Sequence, residues 1–379
     1  MSLTVELVQH LPDFEALQPD WNELVESMAF PEIFHFWEWN FCYFKHYRTA
    51  DELFILVLRD QSKKIVSIAP LCIRTMRRLG VRIRVLETIV VNIGDYRNFL
   101  TRAGTHRGRV VEAVLDYLQG SAAHWDVIDI AQFSSRDSTT AHLATLAQGY
   151  PGWNVRVRIT TATAVIRLSS PATAEDVEKV RRLRRKLKNL QQRGLQVQIG
   201  SADFAKFWPT FCELHRKTWP LSPFHEAVGM AFYDDLRSRP GLKEKLEFSV
   251  AEFQGRPVAM HFGFVDRSKL YHYMTVMDRE FRNERVGAVL LYLMIQHYQK
   301  RLQNFDFMRG METYKLWFTD DLDISFRLVI HRNASGPAFL YNLGEVTRQY
   351  AIDLGFPKAA LQLAKGGAAK VRDRLLGSR

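Results

Sequence analysis

The stretch Phe305-Asp306-Phe307-Met308-Arg309-Gly310-Met311-Glu312-Thr313-Tyr314-Lys315-Leu316-Trp317 opens as an apolar strand and closes in a cluster of ionisable groups. Asp306, Arg309, Glu312, Tyr314 and Lys315 all fall within it, behind an apolar run at helical spacing, and an open α/β sheet carries its chemistry at such strand ends. The helix before it is expected from Val286 to Arg301, because Val286, Val289, Leu290 and Leu293 follow the i, i+3, i+4, i+7 pattern, with His297 and Tyr298 extending the stripe. Further upstream, Leu246 to Phe253 and Pro257 to Val265 read as an apolar hairpin and Leu270 to Met277 as a third strand.

The same order occurs earlier in the chain. Leu53 to Leu58 and Ile65 to Ile73 read as a hairpin, Val85 to Val91 as a strand, Gly94-Asp95-Tyr96 as a loop, Arg109 to Gln119 as a helix and Trp125 to Ile130 as a strand. Pairing Val66 with Val258 and Asp126 with Asp306 aligns the two sets with a modest deletion between them, which is the mark of a duplicated unit. The expected class is therefore α/β (α+β): two tandem domains, each a central mixed sheet flanked by helices. The boundaries drawn from this order are 1–160 for the first domain, 161–345 for the second and 346–379 for a basic helical tail.

A chain of 379 residues exceeds the usual span of one hydrophobic core, which agrees with two units. Its 47% hydrophobic and 25% charged residues describe a globular protein and exclude a disordered or membrane-embedded one. Cys42, Cys72 and Cys212 are odd in number, far apart and without metal-ligand spacing, so a disulfide framework and a structural zinc site are not expected and a reducing compartment is. The opening Met1-Ser2-Leu3-Thr4-Val5-Glu6 has neither the basic region nor the apolar core of a signal peptide, and Ala288 to Ile295 is too short to span a bilayer. A cytoplasmic protein is expected, with peripheral contact at the inner membrane face as an extension of that reading.

The formal net charge of +11 favours an acidic partner. Much of it sits in Thr173 to Arg193, where Thr173 can cap, Glu175 and Asp176 suit the first turn and Gly194 can stop the helix. Val177, Val180, Leu183, Leu187 and Leu190 form a narrow apolar stripe, and Lys179, Arg181, Arg182, Arg184, Arg185, Lys186, Lys188 and Arg193 crowd the rest. A solvated face whose stems cover apolar surface is one reading. The other is a binding face, for which an anionic membrane surface or an acidic acyl carrier protein fits better than nucleic acid, because no nucleic-acid-binding signature accompanies it. Lys358, Lys365, Lys370, Arg372, Arg374 and Arg379 repeat this chemistry in the tail.

Between the Leu270 strand and the Val286 helix lies a basic loop with Arg282, Arg285 and Gly287. Free N–H groups at the helix start face an anion, glycine lets backbone approach and arginine adds bidentate contacts, so this junction is suited to a pyrophosphate.

Arg282-x-x-Arg285-x-Gly287 followed by helix, strand and a tyrosine-bearing segment resembles the GNAT acyltransferase superfamily, whose cofactor loop reads R/Q-x-x-G-x-G/A. Leu214-His215-Arg216-Lys217-Thr218-Trp219, Gly255-Arg256-Pro257-Val258-Ala259, Met277-Asp278 and Asp306 to Lys315 resemble, more narrowly, its CelD-like branch of cellulose and exopolysaccharide biosynthesis, which is related to the Fem-type peptidyltransferases and carries two GNAT-like halves. In the first half, Phe34 to Trp39, Ala69-Pro70-Leu71, Gly94 to Leu100 and Trp125-Asp126 fall in the expected order. The chain departs from the family where Arg285 replaces the first glycine of the loop.

The resemblance implies an acyl-CoA-dependent N-acyltransferase, using acetyl-CoA or another acyl-CoA, with an acyl carrier protein as an alternative donor and no metal. The acceptor amine or hydroxyl, on a polysaccharide or cell-envelope precursor, attacks the thioester directly. It also implies a cofactor site at Val276, Arg282, Arg285, Val286, Gly287 and Ala288. Direct attack needs a base, oxyanion donors and an acid for the thiolate. Glu312 is the candidate base, with Asp306 and His261 as alternatives, or Glu312 is a salt-bridge partner of Lys315 or Arg309. Tyr314 stands where the family often keeps its acid, or it packs on the core. Lys315, Arg309, Asp95, Tyr96 and His261 are candidates for the acceptor side. Trp37, Trp39 and Phe41 fit core packing better than sugar stacking, and His215 fits a packed, hydrogen-bonded histidine. Two other readings stay open: a Fem-type transferase using aminoacyl-tRNA, and a non-catalytic accessory protein of a membrane-bound polysaccharide synthase.

Overall fold

The computed structural model describes residues 3–169, 174–200, 203–310 and 312–353. Thr173, Met311 and the basic tail from Lys358 lie outside them. The first half runs β1 (Thr4–Val8), α1 (Leu11–Ala16), α2 (Gln18–Glu26), α3 (Trp37–Tyr47), β2 (Glu52–Leu53), β3 (Ile55–Arg59), β4 (Ile65–Ala69), β5 (Leu71–Arg78), β6 (Val81–Thr88), β7 (Leu100–Thr101), α4 (Arg107–Gly120), β8 (Val127–Ser134) and α5 (Thr139–Leu146). After β9 (Trp153–Arg167) come α6 (Ala174–Gln192), β10 (Leu195–Gln198), α7 (Phe204–Thr218), α8 (Ala227–Ser238) and α9 (Pro240–Lys243). β11 (Leu246–Phe253), β12 (Arg256–Asp266), β13 (Lys269–Met277), α10 (Val286–Tyr298), β14 (Asn304–Arg309), β15 (Leu322–Arg332) and α11 (Gly336–Asp353) complete the described chain.

The two halves repeat one another. β12 and β13 are antiparallel, and β13 reaches its parallel neighbour β14 through the crossover helix α10. In the first half β5, β6, α4 and β8 stand in the same relation. One eleven-stranded mixed sheet, β10-β11-β12-β13-β14-β9-β15-β8-β6-β5-β2, contains both units. The two long strands β9 and β15 join them, with β9 pairing to β14 on one side and to β15 on the other. The line drawn at residue 160 thus falls inside β9. The hairpin expected over 53–73 is split: β3 and β4 belong to a separate four-stranded sheet, β1-β3-β4-β7, whereas β2 and β5 stay in the large one. The break falls at Pro70, which has no N–H for a ladder and lets the strand turn from one sheet into the other.

An aromatic core cements the halves. Trp39 of α3 is fully buried, with its ring 6.0 Å from Phe232 of α8, 5.4 Å from Phe264 of β12 and 5.6 Å from Tyr273 of β13. Trp37 and Phe41 are buried beside it, stacked at 4.3 Å, so this cluster is interior packing. On the opposite face of the second unit, α10 presses Val286, Val289, Leu290 and Met294 against Ala259, Leu270, Phe305 and Phe307. Cys42, Cys72 and Cys212 are buried and unpaired. No helix among the described residues is long and apolar enough to cross a membrane.

Candidate active site

β13 and β14 run side by side for three residue pairs only, Lys269↔Asn304, Leu270↔Phe305 and Tyr271↔Asp306. Beyond them β13 continues to Met277, still held by β12 through Ala259↔Met277, while β14 bends off. The bend is written in the backbone: Met308 has φ 59° and Gly310 has φ 111°, the left-handed region that glycine enters freely. Asp306 Oδ1 accepts the Met308 N–H at 2.9 Å and fixes this turn. The result is a fork in the sheet, where the far part of β13 has no strand neighbour on one side among the described residues.

α10 begins beside the fork. Arg285 adopts φ 54° just before the helix, and the first intrahelical bond runs from Val289 N to Arg285 O at 3.1 Å, so the N–H groups of Val286, Gly287 and Ala288 project from the helix end. Arg282 and Arg285 are exposed there. A Cβ on Gly287 would meet only Met277 Sδ, at 3.5 Å, so the protein itself leaves this position open. Glu284 bridges to Lys186 of α6 at 2.6 Å and to Arg193, just past its end, at 3.0 Å. Val276, next to last in β13, has its side chain buried on the aromatic face rather than at the helix start.

In the first half the corresponding fork is closed. β6 and β8 pair over Val85↔Val127 to Glu87↔Asp129, and then the chain's own segment enters, with Arg97 bridging Phe133 in parallel. One of the two units keeps an open fork.

The residues expected around the fork divide into two groups. Asp306 and Tyr96 are buried on the aromatic side, between the halves. The Tyr96 hydroxyl donates to Asp306 Oδ1 at 2.8 Å, and Lys269 Nζ lies 3.5 Å from Oδ2. Burial raises the Asp306 pKa against the opposing pull of Lys269 and Arg136. Lys269 also meets Glu32 at 2.5 Å, and Arg136 meets Glu32 at 3.2 Å. Asp306 and Tyr96 are therefore members of an inter-half polar network, not groups facing solvent. Asp95 Oδ2 accepts the Arg309 N–H at 3.1 Å, its Oδ1 forms an ion pair with the guanidinium, 3.3 Å from Nε, and Arg309 also donates to Asn92 O. This pair ties the first half to the turn after β14.

Lys315, expected to reach an acceptor, is turned inward. Its ammonium donates to Met308 O at 3.2 Å, Arg309 O at 3.1 Å and Gly310 O at 3.2 Å, and meets Glu312 at 2.8 Å. The left-handed turn makes three carbonyls converge, and a three-donor ammonium satisfies them.

Glu312 and Tyr314 belong to the fork side. The Glu312 side chain is 48% exposed. Tyr314 is half-buried against Phe307, ring centroids 6.3 Å apart, and burial, then the Glu312 charge, raises its hydroxyl pKa above the ordinary range. His261 is sealed beneath α10, its Nδ1 bonded to Glu247, and so does not line an open cleft. Two polar residues in this region, Glu247 and His272, had no signal in the sequence, because nothing in residue spacing ties neighbours on three different strands. His215 is a packed histidine, bonded to Ser222 Oγ at 2.8 Å. No group of three or more His, Cys, Asp or Glu that could hold a metal ion occurs among the described residues.

Residues 178–316, which contain the fork and α10, match the family model described as an acetyltransferase (GNAT) domain. The chain carries a GNAT domain. The preceding half repeats its strand and helix order, so the architecture is tandem GNAT-like. FemX has a similar structure, at TM-score 0.56 and 13% identity over 86% of this chain and 97% of that one. So has the C-terminal domain of a putative lysylphosphatidylglycerol synthetase from Agrobacterium fabrum, at TM-score 0.51 and 9% identity over 88% and 96%. L-PGS from Bacillus licheniformis gives TM-score 0.51 and 10% identity over 88% and 95%. At these identities the likeness is one of fold. No curated protein matches the chain in sequence.

Proposed function

We propose that the chain is an acyl-CoA-dependent acyltransferase whose donor lies in the fork between β13 and β14. The observation that carries this reading is the fork itself, adjoining the open start of α10. A pyrophosphate has the N–H groups of Val286, Gly287 and Ala288 and the guanidinium groups of Arg282 and Arg285 to meet it. The amide-bearing arm behind it finds the stretch of β13 that β14 no longer pairs, where it would displace the Trp219 indole N–H that donates to Thr275 O at 3.2 Å. An acceptor amine or hydroxyl then attacks the thioester, for which the exposed Glu312 carboxylate and the Tyr314 hydroxyl are the surface groups that can take and return a proton. Arg309 and Lys315 act on the acceptor indirectly, by holding the turn at 308–310. Acetyl-CoA as donor and an amino group on a polysaccharide or cell-envelope precursor as acceptor complete the proposal.

A second proposal concerns the form in which the donor or acceptor arrives. The outer face of α6 exposes Arg181, Arg182, Arg185 and Lys188, beside the helix that opens the site. An acidic acyl carrier protein or an anionic membrane surface suits that face, and an aminoacyl-tRNA donor is its rival.

Titration calorimetry with acetyl-CoA tests the main reading. Binding heat, with stabilisation of about 2.7 kcal/mol at a hundredfold excess over Kd, is expected. Absence of heat with acetyl-CoA and with longer acyl-CoAs, together with salt-sensitive tRNA binding, would replace it by the aminoacyl-tRNA reading.

A further inference from the structure

The fork leaves one buried polar cluster without a role. On the face of the sheet beneath α10, β11 carries Glu247 and Ser249, β12 carries His261 and β13 carries His272; their exposures are 1, 0, 0 and 6%. The Glu247 carboxylate accepts from His261 Nδ1 and Ser249 Oγ, and from the hydroxyl of Tyr298 on α10 at 3.4 Å. The His261 ring lies flat against His272, with centroids 4.5 Å and planes 8° apart. Gly263 makes the room: a Cβ there would stand 2.5 Å from the His261 ring and 2.2 Å from Tyr271 O. The β12–β13 register shifts at the same place, between Phe262 and Phe264. A carboxylate and two imidazoles cost free energy to bury among apolar side chains, and arrangements kept at such a cost concentrate at functional sites.

The cluster ends at the fork. His272 is the first residue of β13 past its last pairing with β14, and its ring rests against Phe305 at 5.4 Å and Phe307 at 5.6 Å. Among the described residues no hydrogen bond is made to the His272 imidazole, and His261 Nε2 is buried without a partner. An imidazole without a hydrogen-bond partner among the described residues thus stands at the root of the proposed thioester site.

We propose that His272, rather than the Glu312 and Tyr314 pair, is the proton carrier of the acyl transfer, held in position by His261 and Glu247; this rests on the reading of the fork as a thioester site. As the acceptor nitrogen bonds to the thioester carbonyl carbon, its proton passes to an imidazole nitrogen of His272. Collapse of the adduct breaks the C–S bond with the electron pair on sulfur. The proton then moves from His272 to that thiolate, leaving amide and coenzyme A thiol with the histidine restored. Burial, then the neighbouring His261 and Lys315, keep the imidazole well below its usual pKa and hence neutral at pH 7. The charged and titratable groups facing it are His261 from β12, Glu247 behind that ring from β11, Lys315 from the segment after β14 and Tyr298 from α10 through Glu247. His261 and Glu247 are positioning residues, since they reach the fork only through His272.

The test follows the ring 15N resonances of His272 in the full chain while coenzyme A is added, with calorimetry in parallel. Binding heat accompanied by displacement of those resonances is expected. His272→Gln should retain coenzyme A binding and lower acetyl-CoA hydrolysis by about tenfold or more, and His261→Ala should displace the pH profile of that hydrolysis. Binding heat with stationary His272 resonances overturns the proposal while leaving the acyl-CoA reading intact, and wild-type hydrolysis by a folded His272→Gln does the same. No binding heat removes the acyl-CoA reading first and this proposal with it.

Discussion

The Tyr96 hydroxyl donates a 2.8 Å hydrogen bond to the Asp306 carboxylate across the boundary between the two halves. Both side chains are buried, and Asp306 holds the turn that opens the fork through the Met308 N–H. A residue of the unit with the closed fork therefore steadies the shape of the open one. Tyr96→Phe removes one of the two donors to Asp306 Oδ1, leaving the Met308 N–H alone, and should cost about 1–3 kcal/mol. Urea denaturation measures this, and an unchanged midpoint and slope would remove the bond from the account of how the halves are held.

His215 gives a pH dependence with a defined sign. Burial, then the His225 charge, pushes its pKa down to about 4 from an ordinary value near 6.5, so between these values the unfolded chain binds a proton that the folded chain refuses. Stability is complete above about pH 6.5, falls as pH drops toward about 4 and changes no further from this group below that, for a total of about 3 kcal/mol. His215→Gln should flatten the stability curve across that window. A variant as acid-sensitive as the native chain would place the sensitivity elsewhere.

Lys315 and Glu312 form one ion pair yet should separate in their effects. Lys315→Met strips three carbonyls of their donor in a buried turn and should cost about 3 kcal/mol, seen as a lowered melting temperature. Glu312→Gln alters a half-exposed side chain and should change stability by about 0.5 kcal/mol or less. With His272 carrying the proton, turnover of acetyl-CoA in Glu312→Gln should stay within a few-fold of native, whereas a fall of about a hundredfold would make the Glu312 carboxylate the base instead. Native turnover in that variant would remove Glu312 from the role.

Much of the second unit was legible in its residues, and the reason is local. β11 to β14 and α10 announce themselves through apolar runs of the right length, and the basic loop before Val286 is contiguous. β9 and β15 were not read, although Val155, Val157 and Ile159 alternate with polar residues, as do Ile324, Phe326, Leu328 and Ile330. Their partners lie far away in the chain, and an alternating segment between two repeats passes for a linker. The same distance hid the partners of Asp306 and Tyr96, and only the αL turn at Met308 and Gly310 explains why Lys315 points inward. Glu247 and His272 needed the sheet register to be brought beside His261.

Gly287 separates the needs of the donor from the needs of the fold. A Cβ there touches only Met277 Sδ at 3.5 Å, and alanine in a helix is favoured over glycine by about 0.5–1 kcal/mol. Gly287→Ala should thus melt at the native temperature or slightly above it. The added methyl would nonetheless stand where backbone N–H groups are proposed to approach a pyrophosphate, and the short, charge-assisted hydrogen bonds to a phosphate weaken when they are lengthened. Calorimetry should therefore show acetyl-CoA binding weakened by about tenfold, the equivalent of about 1.4 kcal/mol, in a protein no less stable than the native one. Native affinity in Gly287→Ala would move the phosphate away from the start of α10 and leave the arginines of the preceding loop to hold it alone.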